Sequence, residues 1–140
     1  MTADGPPAVA LVAHDEKKPE AIDLAREYRA ALERVPVVAT GATGRRLNEE
    51  TDLDVERVES GAWGGDVTIA SRVAKGRIRT VVFLRDPHTA QPHEPDISAL
   101  LRMCDVHDVA LATNRASAVR VLDGLRRDVG PDDGAGGRDD

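Results

Sequence analysis

Residues 79–86, RTVVFLRD, carry the clearest strand pattern in the chain and decide its fold class. The run VVFL contains no polar residue, and charged residues lie on both sides of it. A strand with one face in water alternates apolar and polar residues, whereas a strand covered on both faces does not. We therefore expect residues 79–86 to form a strand of a parallel sheet that has helices on both sides.

Strand and helix patterns alternate five times along the chain. Predicted strands cover residues 8–14, 35–41, 54–59, 79–86 and 109–114, and predicted helices cover residues 19–34, 42–51, 64–76, 95–108 and 115–129. The apolar face of the third helix is expected to consist of Val67, Ala70, Val73 and Ala74. This alternation predicts an α/β fold: a single three-layer α/β/α domain with a five-stranded, mainly parallel sheet over residues 1–129.

Composition and charge are those of a small globular protein. The chain has 140 residues, 41% of them apolar and 31% charged, and a formal net charge of −6. Residues 130–140 carry four Asp against one Arg and no apolar residue larger than alanine, so we expect an acidic, disordered tail. The acidic surplus argues against nonspecific binding of nucleic acid.

No segment predicts export or insertion into a membrane. Every apolar run is far shorter than the ~20 residues that a membrane span requires. The amino-terminal segment lacks a basic start and a cleavable signal pattern, and Cys104 is the single cysteine, which excludes an internal disulfide. We expect a cytoplasmic protein that does not associate with membranes.

Polar residues follow each predicted strand. The carboxyl ends of parallel strands share one edge of the sheet, and ligands bind beyond that edge. The sequence therefore predicts one site there, built from His14, Asp15, Thr40, Gly41, Ser60, Gly61, Asp86, Thr113 and Asn114.

Two glycine-rich segments enter helices at this edge. TGATG, residues 40–44, combines glycines and hydroxyls with a helix N-terminus, which suits phosphate binding. The alternative is a tight turn in which Thr43 caps the helix. SGAWGGD, residues 60–66, places Asp66 in the first turn of a helix, where an acid is favoured whether or not it is catalytic.

The segment RDPHTAQPHEPD, residues 85–96, concentrates three acids, two histidines and three prolines after the strand at 79–86. A metal site, proton transfer and a solvated turn all fit this composition. Its prolines prevent the helical i, i+4 spacing that pairs histidines in zinc hydrolases, so we disfavour a metal site. Nearby, His14 could be a buried structural histidine, and Lys18 could reach an anion.

Taken together, AHD, ATGATG, SGAWGGD, RDPHTAQPHEPD, ALLR and ATN resemble the methylglyoxal synthase family, in order and spacing, over residues 8–122. The resemblance implies conversion of dihydroxyacetone phosphate to methylglyoxal and phosphate by carboxylate-catalysed enolisation and phosphate elimination. This carbon–oxygen lyase reaction bypasses part of glycolysis and needs no cofactor. The resemblance also implies inhibition by phosphate and a homo-oligomer, commonly a hexamer. The alternative is a noncatalytic regulatory domain of the same fold that senses a phosphate ligand.

The resemblance assigns roles to the matching residues. Asp66 matches the catalytic aspartate that removes a proton from the carbon bearing the hydroxyl, and His93 matches the histidine that shuttles protons at the substrate oxygens. Ala42 departs from the family because it replaces a hydroxyl residue of the phosphate loop, and the family's C-terminal arginine has no clear match. Positions that match substrate-binding residues, with no metal ligand among them, are His14, Asp15, Lys18, Thr40, Gly41, Thr43, Ser60, Gly61, Asp86 and Asp96.

Overall fold

A computed structural model of the chain describes residues 5–59, 64–88 and 97–130. Within these ranges five strands form one sheet: β1 (Ala8–Ala13), β2 (Val37–Ala39), β3 (Val55–Arg57), β4 (Ile78–Leu84) and β5 (Ala110–Ala112). The helices in the same ranges are α1 (Lys18–Glu27), α2 (Arg29–Leu32), α3 (Gly41–Glu50), α4 (Gly65–Ala74), α5 (Ile97–His107) and α6 (Arg115–Val129). A 3-10 helix, Asp15–Lys17, connects β1 to α1.

The sheet has the strand order β3-β2-β1-β4-β5, and every neighbouring pair is parallel. The central pair, β1 and β4, has the longest pairing, and all residues of β1 are buried. Apolar side chains form one cluster on each face, represented by Leu47 and Leu122 on one side and by Ile69 and Leu100 on the other. The predicted parallel sheet between two helical layers is therefore confirmed.

Several predicted elements are longer than the observed ones. The strand predicted over 35–41 pairs only from Val37 to Ala39, because the next helix already begins at Gly41. The helix predicted over 19–34 is divided at Tyr28, whose buried hydroxyl donates to Asp123 Oδ1 of α6 at 2.7 Å. Burial and this hydrogen bond raise the pKa of Tyr28 to about 12.

The predicted apolar face of α4 is confirmed at Ala70 and Val73 and is wrong at Val67 and Ala74. Val67 is 60% exposed and Ala74 is also exposed, whereas Ile69 and Val73 are fully buried. The buried stripe begins with a charged residue, Asp66, three positions before Ile69. An apolar pattern cannot place a carboxylate on a buried stripe, so the predicted face included Val67 and Ala74 in place of Asp66 and Ile69.

Cys104 lies on the buried face of α5 and is 1% exposed. Burial is the main cause that raises the pKa of its thiol to about 11. A thiol in such surroundings stays protonated at neutral pH and packs as a small apolar side chain.

Two further expectations concern the acidic tail and association with membranes. Residues 131–140 of the predicted acidic tail lie outside the described residues, so its disorder stays a prediction. Within the described part of the chain, no helix has both the length and the apolar character that crossing a membrane requires.

Candidate active site

His14 follows β1 at the carboxyl edge of the sheet and is 8% exposed. Its ring meets the ring of Phe83 at right angles, with the centroids 5.4 Å apart. Its Nδ1 accepts a hydrogen bond from the backbone N–H of Asp86 at 2.9 Å, and Asp86 Oδ1 accepts from the N–H of His88 at 3.0 Å. The first residues after β4 are therefore tied to the end of β1.

Lys18 brings a buried positive charge to the same edge. Its Nζ donates to Ala13 O at 3.1 Å and to Asp15 Oδ1 at 2.6 Å. The side chain of Asp15 is 71% exposed, whereas that of Lys18 is 8% exposed. Because water solvates the carboxylate and an ammonium has three donors, Lys18 can still attract and bind a second anion.

The N-terminus of α3 supplies donors for an anion. Thr40 precedes the helix in an extended conformation and its side chain makes no capping hydrogen bond. Thr43 lies in the first turn, where its buried Oγ1 has no hydrogen-bond partner among the described residues. The first N–H groups of a helix have no intrahelical partners and favour negative charge. The alternative in which Thr43 caps the helix is wrong, because Thr40 occupies the cap position.

Two glycines bring the N-terminus of α4 against that of α3. Gly64 has a φ of 89°, which glycine adopts without strain. A Cβ on Gly65 would lie 1.8 Å from Glu59 O and 3.1 Å from Thr40 Cγ2. This close approach places Asp66, which is 6% exposed, in the first turn of α4 beside the TGATG segment.

Arg57 is a residue that sequence reasoning missed. It ends β3, and its Nε donates to Gly41 O at 3.1 Å in the first turn of α3. A Cβ on Gly44 would lie 2.7 Å from Arg57 Cγ, so the side chain packs closely on this turn. Its position in a weak edge strand gave no indication of this contact.

The described part of the site forms two groups on neighbouring strands. One group follows the central strands β1 and β4, and the other follows β2 and enters α3 and α4. The first group contains His14, Asp15, Lys18 and Asp86, and the second contains Thr40, Gly41, Thr43 and Asp66. Four predicted site residues lie outside the described residues, and their roles stay predictions: Ser60, Gly61, His93 and Asp96.

The composition of the segment 85–96 also fits a metal site. Residues 5–59, 64–88 and 97–130 contain no group of three or more His, Cys, Asp or Glu side chains placed to hold a metal ion. Most of the segment in question lies outside these ranges. The described residues thus offer hydrogen-bond donors and carboxylates to a ligand at this edge.

A cavity of about 150 Å³ lies at the opposite edge, next to Pro36 and Arg77 before β2 and β4. Two of its three charged lining residues, Arg72 and Glu56, already bind each other through two hydrogen bonds of 2.9 and 2.6 Å. Ligands in parallel sheets bind at the carboxyl edge. We therefore assign the site to that edge and give this cavity no role in it.

Comparison with known proteins identifies the family. The family model described as MGS-like domain matches residues 20–113, which is more than half of the chain. A methylglyoxal synthase from Cupriavidus taiwanensis is 55% identical over 124 residues, covering 89% of this chain and 93% of the relative. The chain belongs to the methylglyoxal synthase family.

Other methylglyoxal synthases agree with it in sequence and in fold. One from Burkholderia thailandensis is 57% identical over 121 residues, covering 86% of this chain and 93% of the relative. The crystal structure of methylglyoxal synthase from Elizabethkingia anophelis NUHP1 superposes with a TM-score of 0.80 at 37% identity. The match covers 84% of this chain and 77% of that one. Both the resemblance and the three-layer fold expected from the sequence are confirmed.

Proposed function

We propose that the chain is a methylglyoxal synthase, a carbon–oxygen lyase that converts dihydroxyacetone phosphate into methylglyoxal and phosphate. The activity named for its relatives supports this. One observation of the structure carries it. The buried carboxylate of Asp66 lies in the first turn of α4, and the N-terminus of α4 packs against that of α3. In the first turn of α3, the buried Thr43 Oγ1 has no hydrogen-bond partner among the described residues. A phosphorylated hydroxyketone needs both groups, a donor for its phosphate and a base for its acidic C–H.

The phosphate half of the site is the N-terminus of α3 together with Lys18. A phosphate dianion there accepts from Thr43 Oγ1 and from N–H groups of the first helical turn other than that of Gly41, which donates to Glu59 O at 3.2 Å. Lys18 adds a cation that is buried and only partly compensated by the solvated Asp15. Product phosphate fits the same groups as the substrate, so inhibition by phosphate is expected.

The base half of the site is Asp66. Its carboxylate removes a proton from the carbon that bears the hydroxyl, and the electron pair of that C–H bond forms the enediolate. The enediolate then expels phosphate from the other carbon, and the resulting enol takes up a proton on carbon to give methylglyoxal. Expulsion requires the C–O(P) bond to stand perpendicular to the enediolate plane, so the phosphate half must hold the substrate in that pose. The resemblance gives His93 the proton transfers at the substrate oxygens.

The wider properties of the family are also proposed for this chain. They are a cytoplasmic location, a homo-oligomer that is commonly a hexamer, a role as a bypass of glycolysis and a reaction without a cofactor. From the composition of residues 130–140 we also propose that the domain ends at residue 129. Light scattering coupled to size-exclusion chromatography measures the assembly directly, and a monomer would overturn the oligomer.

The decisive experiment is an assay of the purified protein with dihydroxyacetone phosphate, with and without a chelator. Equal formation of methylglyoxal in both conditions supports the proposal. Phosphate binding without methylglyoxal would instead identify the noncatalytic phosphate-sensing domain. Loss of activity on chelation would identify a metal-dependent enzyme.

Asp66→Asn tests the base within this assay, because it keeps the shape of the side chain and removes its basicity. Turnover should fall at least ~100-fold, the lower end of the contribution of a general base. Asp23→Asn is the matched control, since Asp23 is exposed on α1 and should tolerate the change. Near-normal turnover of the Asp66 variant would refute its assignment as the base.

A further inference from the structure

Both polar groups of the Gly41 backbone are bound by the end of β3 and the residues that follow it. The N–H of Gly41 donates to Glu59 O at 3.2 Å, and Gly41 O accepts from Arg57 Nε at 3.1 Å. Gly44 leaves room for the arginine, because a Cβ there would lie 2.7 Å from Arg57 Cγ and 3.5 Å from Ala39 Cβ. The first turn of α3 is therefore fixed from the side of β3.

These contacts determine which N–H groups of the turn can bind an anion. The N–H of Gly41 is already bound, and the N–H of Gly44 donates to Thr40 O at 2.7 Å. Among the described residues, the N–H groups of Ala42 and Thr43 have no acceptor. The backbone donors that the turn offers to a phosphate therefore belong to Ala42 and Thr43.

The contact of Arg57 with Gly41 O controls the direction of one of these donors. A trans peptide bond is planar, so the C=O of Gly41 and the N–H of Ala42 lie in one plane and point in opposite directions. A donor that fixes Gly41 O therefore also fixes the N–H of Ala42. Hydrogen bonds on the two sides of one peptide unit polarise each other, and a charged guanidinium strengthens this effect.

We propose that Arg57 is a positioning residue that orients the backbone N–H of Ala42 towards the phosphate group of the ligand. The inference rests on the phosphate half of the proposed function, and Arg57 acts through the Gly41–Ala42 peptide bond. Arg57 is exposed, and its guanidinium forms no salt bridge with a described residue, so the contact with Gly41 O is not a consequence of pairing with an acid. Ala42 has no side-chain donor and can bind phosphate only through this N–H.

Three substitutions at position 57 separate the hydrogen bond from the charge. In Arg57→Gln the amide nitrogen is bonded to Cδ, as Nε is, so a neutral donor remains at that place. Arg57→Lys keeps the charge but has a carbon atom at that place, and Arg57→Met keeps neither donor nor charge. Isothermal titration with inorganic phosphate measures the Kd of each variant. We expect Arg57→Gln to bind within about threefold of wild type, and the other two variants to bind about tenfold more weakly.

The order of the Kd values decides between the hydrogen bond and the charge. A Kd of Arg57→Gln as weak as that of Arg57→Met, or a Kd of Arg57→Lys equal to that of wild type, would overturn the inference. Arg45→Gln is the matched control, because Arg45 is also exposed near the start of α3 and its Nη1 lies 3.3 Å from Glu49 Oε1. Its Kd should change by less than about twofold. A loss equal to that in Arg57→Met would assign the effect to charge on α3 and would also overturn the inference.

The wild-type protein provides a second test that requires no change at position 57. Alanine labelled with heavy nitrogen gives one NMR signal for each alanine N–H, and Ala42→Ser identifies the Ala42 signal by its loss. Saturation with phosphate should shift this signal, and an unchanged signal would overturn the inference. In Arg57→Met without phosphate, the Ala42 signal should already differ from wild type, whereas in Arg57→Gln it should stay close to it.

The assay with dihydroxyacetone phosphate separates this inference from the proposed function. A wild-type protein that binds phosphate but makes no methylglyoxal would overturn the proposed enzyme, and the Kd values would still decide the role of Arg57. A wild-type protein that does not bind phosphate would overturn both the phosphate half of the site and this inference. Melting temperatures without phosphate are measured for each variant, so that a difference in Kd between equally folded proteins is assigned to the turn.

Discussion

At the scale of single residues, the clearest mark of a ligand is a buried hydroxyl that has no hydrogen-bond partner among the described residues. Thr43 Oγ1 lies at a helix N-terminus, where an anion would complete its hydrogen bonding. The sequence predicted hydroxyls in TGATG, but it could not tell that Thr40 is the cap residue and Thr43 the unsatisfied one. That distinction depends on distances between atoms, as does the contact of Arg57 with Gly41 O.

Thr43→Val should make the protein more stable and worse at binding phosphate. Valine has the same shape and removes an unsatisfied buried oxygen, so the free energy of unfolding should rise by about 1 kcal/mol in the absence of anions. Phosphate stabilises the wild-type protein by binding only its folded state, and this gain should shrink in the variant. Thermal unfolding with and without phosphate measures both effects.

Thr51→Val is the matched control at the other end of α3. Thr51 Oγ1 donates to Leu47 O at 2.6 Å and accepts from Leu53 N at 3.2 Å, so this hydroxyl is satisfied. Its loss should lower stability by about 1 kcal/mol and leave the response to phosphate unchanged. If the Thr43 variant behaved like this control, the phosphate site would lie elsewhere.

At the scale of elements, the entry to α4 decides where the base lies. The sequence showed a glycine-rich entry and an acid in the first turn, and both were found. It did not show why Gly65 is required, because the obstacle is Glu59 O, an atom of a different element. The same lack of tertiary information placed Val67 and Ala74 wrongly on the apolar face of this helix.

Gly65→Ala should disrupt the site, because its Cβ would overlap Glu59 O, which belongs to the backbone. We expect a loss of about 1–3 kcal/mol in stability, as for overpacking of a core. Displacement of Asp66 by about 1 Å would lower turnover by up to ~100-fold. Chemical denaturation and steady-state kinetics measure these two effects.

Gly124→Ala is the control for a glycine inside a helix. A Cβ there meets only Arg127 Nη2, at 3.8 Å, so alanine fits within α6. Stability should rise by about 0.5–1 kcal/mol, since alanine favours the helix, and turnover should not change. Equal behaviour of the two glycine variants would contradict the close approach at Gly65.

Over the whole molecule, the alternation of strands and helices was sufficient to predict a parallel sheet and the edge that carries the site. The order of the strands was not predicted, because pairing between β1 and β4 joins residues 70 or more positions apart. Element ends were less accurate, as at Tyr28, where a contact with α6 coincides with the break between α1 and α2.

Tyr28 should make global stability depend on alkaline pH. Its pKa is raised from 10.0 to about 12 in the folded protein, so its stabilising effect is complete below pH 10 and is lost as pH rises to about 12. Tyr28→Phe should be less stable at neutral pH and should lose less stability over this range. Because the chain has a single tyrosine, the ultraviolet absorbance of the phenolate reports this group alone. A titration midpoint near 10 in the folded protein would contradict the prediction.

The burial of Cys104 has a chemical consequence for a protein that releases an aldehyde. Methylglyoxal is an electrophile, and the thiolate is the form of cysteine that adds to electrophiles. The one thiol of this chain is 1% exposed, and its pKa of about 11 keeps it protonated at neutral pH. The thiol of Cys104 is therefore not available to methylglyoxal, and its place on the buried face of α5 prevents modification of this cysteine by the product.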